Sequence, residues 1–236
     1  MENFTGILNS HALAIFVAIS ATFLLAGVVK GVVGLGLPTV AVGLLGIVMT
    51  PMEAVSLLLV PSFVTNVWQL AAGPSLRLLL VRLWPMLLAI FAGTLAGGAM
   101  LPQDRAYATT ALGIALVLYA VIGLASVRMA VPQRLEMWLA PVVGIATGLV
   151  TAATGVFVVP AVPYLQGLGL GKEQLVQALG LAFTTSTLAL AASLALAGSF
   201  EPRAAGMSFY ALLPALVGML FGQWIRTRIR PEVFRK

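Results

Sequence analysis

No cysteine occurs in the 236-residue chain, and histidine occurs once, at His11. Disulfides, thiol catalysis and thiolate metal sites are therefore excluded. One imidazole cannot build a His-rich metal centre, so no metal and no cofactor is expected. Charge is scarce as well: Asp, Glu, Lys and Arg make up 8% of the residues, against about 25% in ordinary soluble domains. Glu53, Glu136 and Glu173 fall at predicted helix ends, and no Asp or Glu sits in the middle of an apolar segment. Cation transport and carboxylate proton relays normally need such a residue. A Ser-His-Asp set, an HExxH motif and a P-loop lysine motif are all missing, so an enzyme is not expected.

What is present is apolar. Hydrophobic residues make up 61% of the chain, and the mean hydropathy is +1.07. A soluble protein of this composition could not cover its surface, so the fold class is all-α, a polytopic integral membrane protein whose partner is the lipid bilayer. The net charge of +6 is not a nucleic-acid signature, because five of the thirteen basic residues cluster at the end of the chain (Arg226, Arg228, Arg230, Arg235, Lys236). That cluster reads as a cytoplasmic tail over 226–236. Met1 to Ser10 contains Glu2 and no Lys or Arg. The basic n-region of a signal peptide is thus missing, and the first apolar segment is expected to be retained.

Hydropathy divides the chain into nine segments, roughly Ala12–Val29, Leu35–Met49, Glu53–Ala72, Trp84–Leu101, Ala106–Ser126, Trp138–Ala153, Val156–Leu168, Gln174–Ala197 and Ala205–Trp224. The second and seventh would reach only about 20 Å, against a hydrocarbon core of about 30 Å. They read as half-helices or re-entrant pieces, which predicts about eight transmembrane segments (seven to nine). Arg77 and Arg82, Arg128 and Arg134, and the tail mark cytoplasmic loops, while Arg105 and Arg203, each beside an acidic residue, suit the outer face. This parity puts the first group of segments (about 12–101) and the last (about 138–224) in opposite orientations, joined by a connecting helix at about 106–126. The expectation is one membrane domain over 1–236, built from two inverted repeats of about four helical elements.

Each repeat contains a Gly/Pro-broken stretch. The first runs from Gly27 through Lys30, Gly31, Gly34 and Gly36 to Pro38, and the second from Gly144 through Gly148, Thr151, Thr154 and Gly155 to Pro160 and Pro163. Paired breaks in corresponding halves point to a transporter's binding site near the midplane. Lys30 is the one ionisable residue deep in an apolar stretch. It reads either as a cation that attracts an anion or as a snorkelling lysine at a helix end. Gly31, Gly34 and Gly36 would expose backbone donors. Asn66 and Gln69 on the third segment, Thr151 and Thr154 at the second break and Thr184 on the eighth would add neutral donors. For the threonines, interhelical hydrogen bonding is the competing role.

Several stretches together resemble the TauE/SafE sulfite exporter family: Gly31-Val-Val-Gly34-Leu-Gly36-Leu-Pro38, Pro51-Met-Glu-Ala54, Pro61-Ser-Phe-Val-Thr-Asn66-Val-Trp68-Gln69, Thr154-Gly-Val-Phe-Val-Val-Pro160-Ala-Val-Pro163-Tyr164-Leu-Gln166 and Gln177-Ala-Leu-Gly180-Leu-Ala-Phe183-Thr184. The resemblance implies a permease of the bacterial inner membrane, made of two related halves, that exports sulfite, sulfonates or other sulfur-containing anions. Many members carry a Gly-x-Gly-Gly-Gly run where this chain has Thr151-Ala-Ala-Thr154-Gly155. The added Cβ atoms restrict backbone approach, while the threonines bring hydroxyls. Three readings stand at this point: an alternating-access carrier of small anions, a passive anion channel, and a membrane scaffold subunit without transport. Oligomeric state is open, with a homodimer among the options.

Overall fold

The computed structural model describes residues 2–101, 104–124, 130–198 and 202–228, with the side chains of 13–101, 104, 106–124, 130–198 and 206–228. Among them are nine helices and no strand: α1 (Glu2–Val33), α2 (Leu37–Leu45), α3 (Pro51–Ala71), α4 (Leu76–Met100), α5 (Arg105–Leu124), α6 (Gln133–Thr154), α7 (Ala161–Gly167), α8 (Lys172–Leu196) and α9 (Pro202–Arg228). Seven are long and apolar enough to span a bilayer; α2 and α7 are not. The protein is a multi-pass membrane protein. Its outer surface carries Leu, Val, Ile and Phe side chains on nearly every long helix, as expected where lipid tails are the solvent.

Helix starts and stops follow local chemistry. Thr50 and Glu53 form a reciprocal capping box ahead of Pro51, which fixes the start of α3. Pro61 inside α3 cannot donate to the carbonyl one turn back. The Ser208 hydroxyl of α9 donates to that carbonyl, Leu57 O, at 2.9 Å, and accepts from Val60 N at 3.0 Å. Such replacement partners let proline persist in a membrane helix. α4 begins at Leu76, eight residues before the expected Trp84, and α6 at Gln133 rather than Trp138. Arg77, Arg82, Arg134 and Glu136 lower the local hydropathy, but Arg82 and Glu136 pair with each other across the two helices, so the helical backbone continues through them.

The two breaks are narrower than the Gly/Pro pattern suggests. Gly27 to Val33 and Gly144 to Thr154 are helical. The first chain reversal spans Gly34 to Gly36, and the second starts at Gly155. Gly36 (φ +107°) caps α2 and Gly155 (φ +70°) ends α6, both in left-handed backbone that a side chain would strain. The paired glycines upstream serve helix packing. A Cβ on Gly27 or Gly31 would run into the α9 backbone at Ala215 and Met219, and one on Gly218 or Gly222 into α1 at Leu24 and Val28. Gly144 and Gly148 meet Met86 and Ile90 of α4 in the same way, and Gly93 meets Ile145 of α6. Small residues drive close helix approach in membranes, where dispersion replaces the hydrophobic effect.

Packing follows a pattern that survives exchange of α1–α4 with α6–α9. α1 lies on α9 as α6 lies on α4, α3 lies on α9 as α8 lies on α4, and α3 packs on α8. α5 stands outside this arrangement, packed on α6 and α3 and mostly exposed. The ends of α1, α3 and α9 and the starts of α4, α6 and α8 share one face, as the contacts of Gly31 with Gln223, Gly73 with Gln177, and Arg82 with Glu136 require. Arg77, Arg82, Arg134, Lys172, Arg226 and Arg228 all belong to the helix segments at this basic face. The four tryptophans, Trp68, Trp84, Trp138 and Trp224, lie toward it and are at least half exposed, like an interfacial aromatic belt. Arg128, Glu201, Arg230, Arg235 and Lys236 lie outside the described residues.

These contacts predict an asymmetric response to added bulk. In Gly148→Val, the new Cβ would stand 2.5 Å from both Ile90 O and Thr94 N. Overpacking against main chain costs about 1–3 kcal/mol or more, a fall in apparent Tm of roughly 5–10 °C. Gly113→Val on α5 meets nothing within 4 Å and should shift the melting of detergent-solubilised protein little.

Candidate functional site

Lys30 lies in the last turn of α1 and is 3% exposed. The last carbonyls of the helix present its negative dipole end there, which offsets part of the cost of burying a cation. Its ammonium donates to Asn66 Oδ1 of α3. The amide orientation is forced, since the ammonium has only donors. Asn66 Nδ2 then donates to Ser62 Oγ at 3.1 Å, one turn back on α3, and to Thr187 Oγ1 of α8 at 3.4 Å. Ser62 and Thr187 oxygens are themselves 3.4 Å apart. Ser62 and Asn66 are fully buried. A chain of polar groups thus crosses from α1 through α3 to α8, and Lys30 is its one ionisable member.

Gln69, one turn further along α3, joins the first break to α8. Its Nε2 donates to Gly34 O at 2.7 Å and to Val176 O at 3.0 Å. Its Oε1 is buried without a hydrogen-bond partner. α8 comes this close because Gly180 has no side chain; a Cβ there would sit 2.8 Å from Leu70 N. Thr184 shares the Gly180 face of α8, and its hydroxyl donates to Gly180 O at 2.7 Å.

The remaining expected site residues lie elsewhere. Gly31 sits in the α1–α9 seam, within helix. Thr151 donates to Thr147 O at 2.7 Å. Thr154 donates to Val150 O at 2.7 Å and accepts from Val156 N at 3.1 Å, so it holds the end of α6 where the chain turns. No contact among the described residues joins these threonines to Lys30. The two reversals themselves lie apart: Gly34 is beside Gln69, whereas a Cβ on Gly155 would strike Val55. Fourteen residues of α3 separate those neighbours, about 21 Å at 1.5 Å per residue. The two reversals are therefore offset along α3 rather than side by side.

The broken segments do share a cavity, at the basic face. A vestibule of about 820 Å3 is lined by Val33 and Leu35 from the first break and by Val162, Pro163 and Gln166 of α7, with Tyr119 of α5 on its wall. Val33 is one turn beyond Lys30 on α1, so the vestibule stops short of the buried ammonium. Beside it, Arg82 makes a paired contact with Glu136 (Nε at 2.6 Å, a terminal nitrogen at 2.8 Å) and donates to Leu168 O at 3.2 Å. The Tyr164 hydroxyl donates to Glu136 O at 3.1 Å. This cluster anchors α7 to α4 and α6. Arg82→Gln should cost about 1–2 kcal/mol, less than a fully buried pair because the arginine side chain is 33% exposed. The double variant Arg82→Gln/Glu136→Gln should melt above either single variant, a non-additivity that a thermal double-mutant cycle reads directly.

Ser62 and Thr187 belong to the polar chain, although the primary structure singled out their neighbours. The spacing Ser62, Asn66, Gln69 places all three on one face of a helix, which was the available signal for Ser62. Searches of curated proteins and of solved structures found no match to the chain. A family model described as sulfite exporter TauE/SafE matches residues 19–236. That match takes in nearly the whole chain, from α1 through α9, and the protein belongs to the TauE/SafE sulfite exporter family.

Proposed function

We propose that this protein is a secondary transporter that exports small sulfur-containing oxyanions, such as sulfite or sulfonates, by alternating access. The observation that carries the reading is a buried ammonium held by a neutral amide, in a membrane interior whose described residues offer it no carboxylate. A buried cation with a carboxylate partner would be a closed structural pair. A cation held only by amide oxygen keeps its charge available to an anion. Lys30 supplies that charge, and Asn66, Gln69 and Thr184, with Ser62 and Thr187, form its polar surroundings. Gly34 and Gly36 shape the adjoining break, Gly31 keeps α1 against α9, and Thr151 and Thr154 stabilise the second hairpin.

The exchange-invariant packing supports two inverted repeats around the α3–α8 contact, with α5 as the connecting helix. The concentration of Lys, Arg and Trp at one face supports a cytoplasmic assignment for that face and for the tail, in a bacterial inner membrane. The vestibule then opens inward, as an exporter's loading side should. With the cytoplasm negative, an outgoing monoanion gains about 2.3 kcal/mol per 100 mV, so export can proceed without ion coupling. No enzymatic role is part of this reading.

Purified protein in proteoliposomes tests it. Labelled sulfite should leave protein-containing vesicles with saturable kinetics, and unlabelled sulfite outside should drive counterflow of label. Conductance without counterflow would indicate a channel. No flux from folded protein would leave the scaffold reading standing and contradict transport.

A further inference from the structure

The surroundings of Lys30 also bear on the charge of the anion, an inference that rests on the transport reading above. Asn66 Nδ2 is committed to Ser62 and Thr187, and Gln69 Nε2 to two backbone carbonyls. The hydroxyls of Thr65, Thr184 and Thr187 each donate to a carbonyl of their own helix. Since Thr187 spends its proton on Phe183 O, the Ser62 hydroxyl is left to donate across the 3.4 Å gap to Thr187. Each of these neutral donors is therefore engaged with a protein acceptor. The ammonium has three N–H groups and one hydrogen-bond partner, Asn66 Oδ1, among the described residues. Gln69 Oε1, one turn along α3, is a buried acceptor without a partner.

The cluster thus offers one cationic group with two unengaged N–H groups. We infer that the site selects singly charged oxyanions over doubly charged ones. A monoanion on Lys30 gives a neutral complex. A dianion would keep one negative charge in a low-dielectric interior, and an unpaired buried charge is among the costliest things a protein can hold. The class that fits is an R–SO3 monoanion, either hydrogen sulfite or an alkanesulfonate. Both carry three oxygens to meet two N–H groups.

Methanesulfonate and sulfate form the decisive pair, being close in size and shape and differing by one charge. Wild-type protein reconstituted in proteoliposomes, at one fixed pH and with the membrane potential clamped at zero, should move methanesulfonate at least about tenfold faster than sulfate. In detergent, methanesulfonate should raise the apparent Tm and sulfate at equal ionic strength should not. Lys30→Met should lose the methanesulfonate shift, tying the preference to the ammonium. Sulfate moving as fast as methanesulfonate, with both fluxes dependent on Lys30, would overturn the charge selection while leaving anion transport in place. If neither anion moves nor shifts the melting of folded wild-type protein, both the inference and the reading beneath it fail.

Discussion

Lys30→Met should leave a folded protein whose sulfite flux in proteoliposomes has fallen by at least about 100-fold. Methionine keeps the length and flexibility of the lysine stem. The substitution removes a buried charge, so its effect on stability is the balance of two opposed terms. Relief of desolvation is favourable. Asn66 Oδ1 loses its ammonium donor, and an unsatisfied buried acceptor costs about 1–3 kcal/mol. The net should be a Tm within a few degrees of wild type. The anion loses its only counter-charge, and truncating one partner of a buried charge pair costs about 2–5 kcal/mol, which covers a 100-fold loss. Unaltered flux would leave Lys30 a structural partner of Asn66 and remove it from the site.

Asn66→Asp should abolish transport for the opposite reason, by satisfying the ammonium too well. The carboxylate is nearly isosteric with the amide and would take the same position against Lys30 Nζ. The former Nδ2 would become an oxygen able to accept from the Ser62 hydroxyl, 3.1 Å away. The site would then be electrically neutral before any anion arrived. Binding an anion would require breaking a buried ion pair, so flux should again fall at least about 100-fold. Unlike Lys30→Met, this variant should melt at or above the wild-type temperature, because no polar group is left unpaired. Melting curves and sulfite flux on the same preparation separate the two mechanisms. Flux retained in a folded Asn66→Asp protein would show that the anion does not use Lys30.

The membrane class and the nine helical elements could be read from hydropathy, since apolar run length is a local property and the bilayer fixes the scale. Boundaries failed where charge interrupted a helix. Arg77 and Arg82 concealed the first two turns of α4, because the pairing of Arg82 with Glu136 is a tertiary fact. The glycines were legible as special but ambiguous in role. A missing Cβ serves equally for a sharp reversal, as at Gly36 and Gly155, and for close helix approach, as at Gly27, Gly31, Gly144 and Gly148. Only the neighbouring helix distinguishes the two.

At the site, Lys30 and Asn66 could each be found as a costly polar group in an apolar run. Their contact could not, because it depends on how α1 and α3 register across a junction that Gln69 holds by bonding to Gly34 and Val176. Thr187 entered the cluster the same way, through the approach of α8 that Gly180 permits. The offset between the two breaks was equally hidden. The glycines at each turn can be picked out in the sequence; that Gly34 and Gly155 pack against opposite ends of α3 cannot.

The central claim is that an oxyanion binds at Lys30, and ligand-dependent melting of the purified protein tests it most directly. A ligand at 100 times its Kd stabilises the folded state by about 2.7 kcal/mol, which for a chain of this size is an upward shift of roughly 5–10 °C. The account predicts that shift for wild-type protein with sulfite or methanesulfonate, and its absence in Lys30→Met. An equal shift in Lys30→Met, or none in wild-type protein that is otherwise folded, would contradict it.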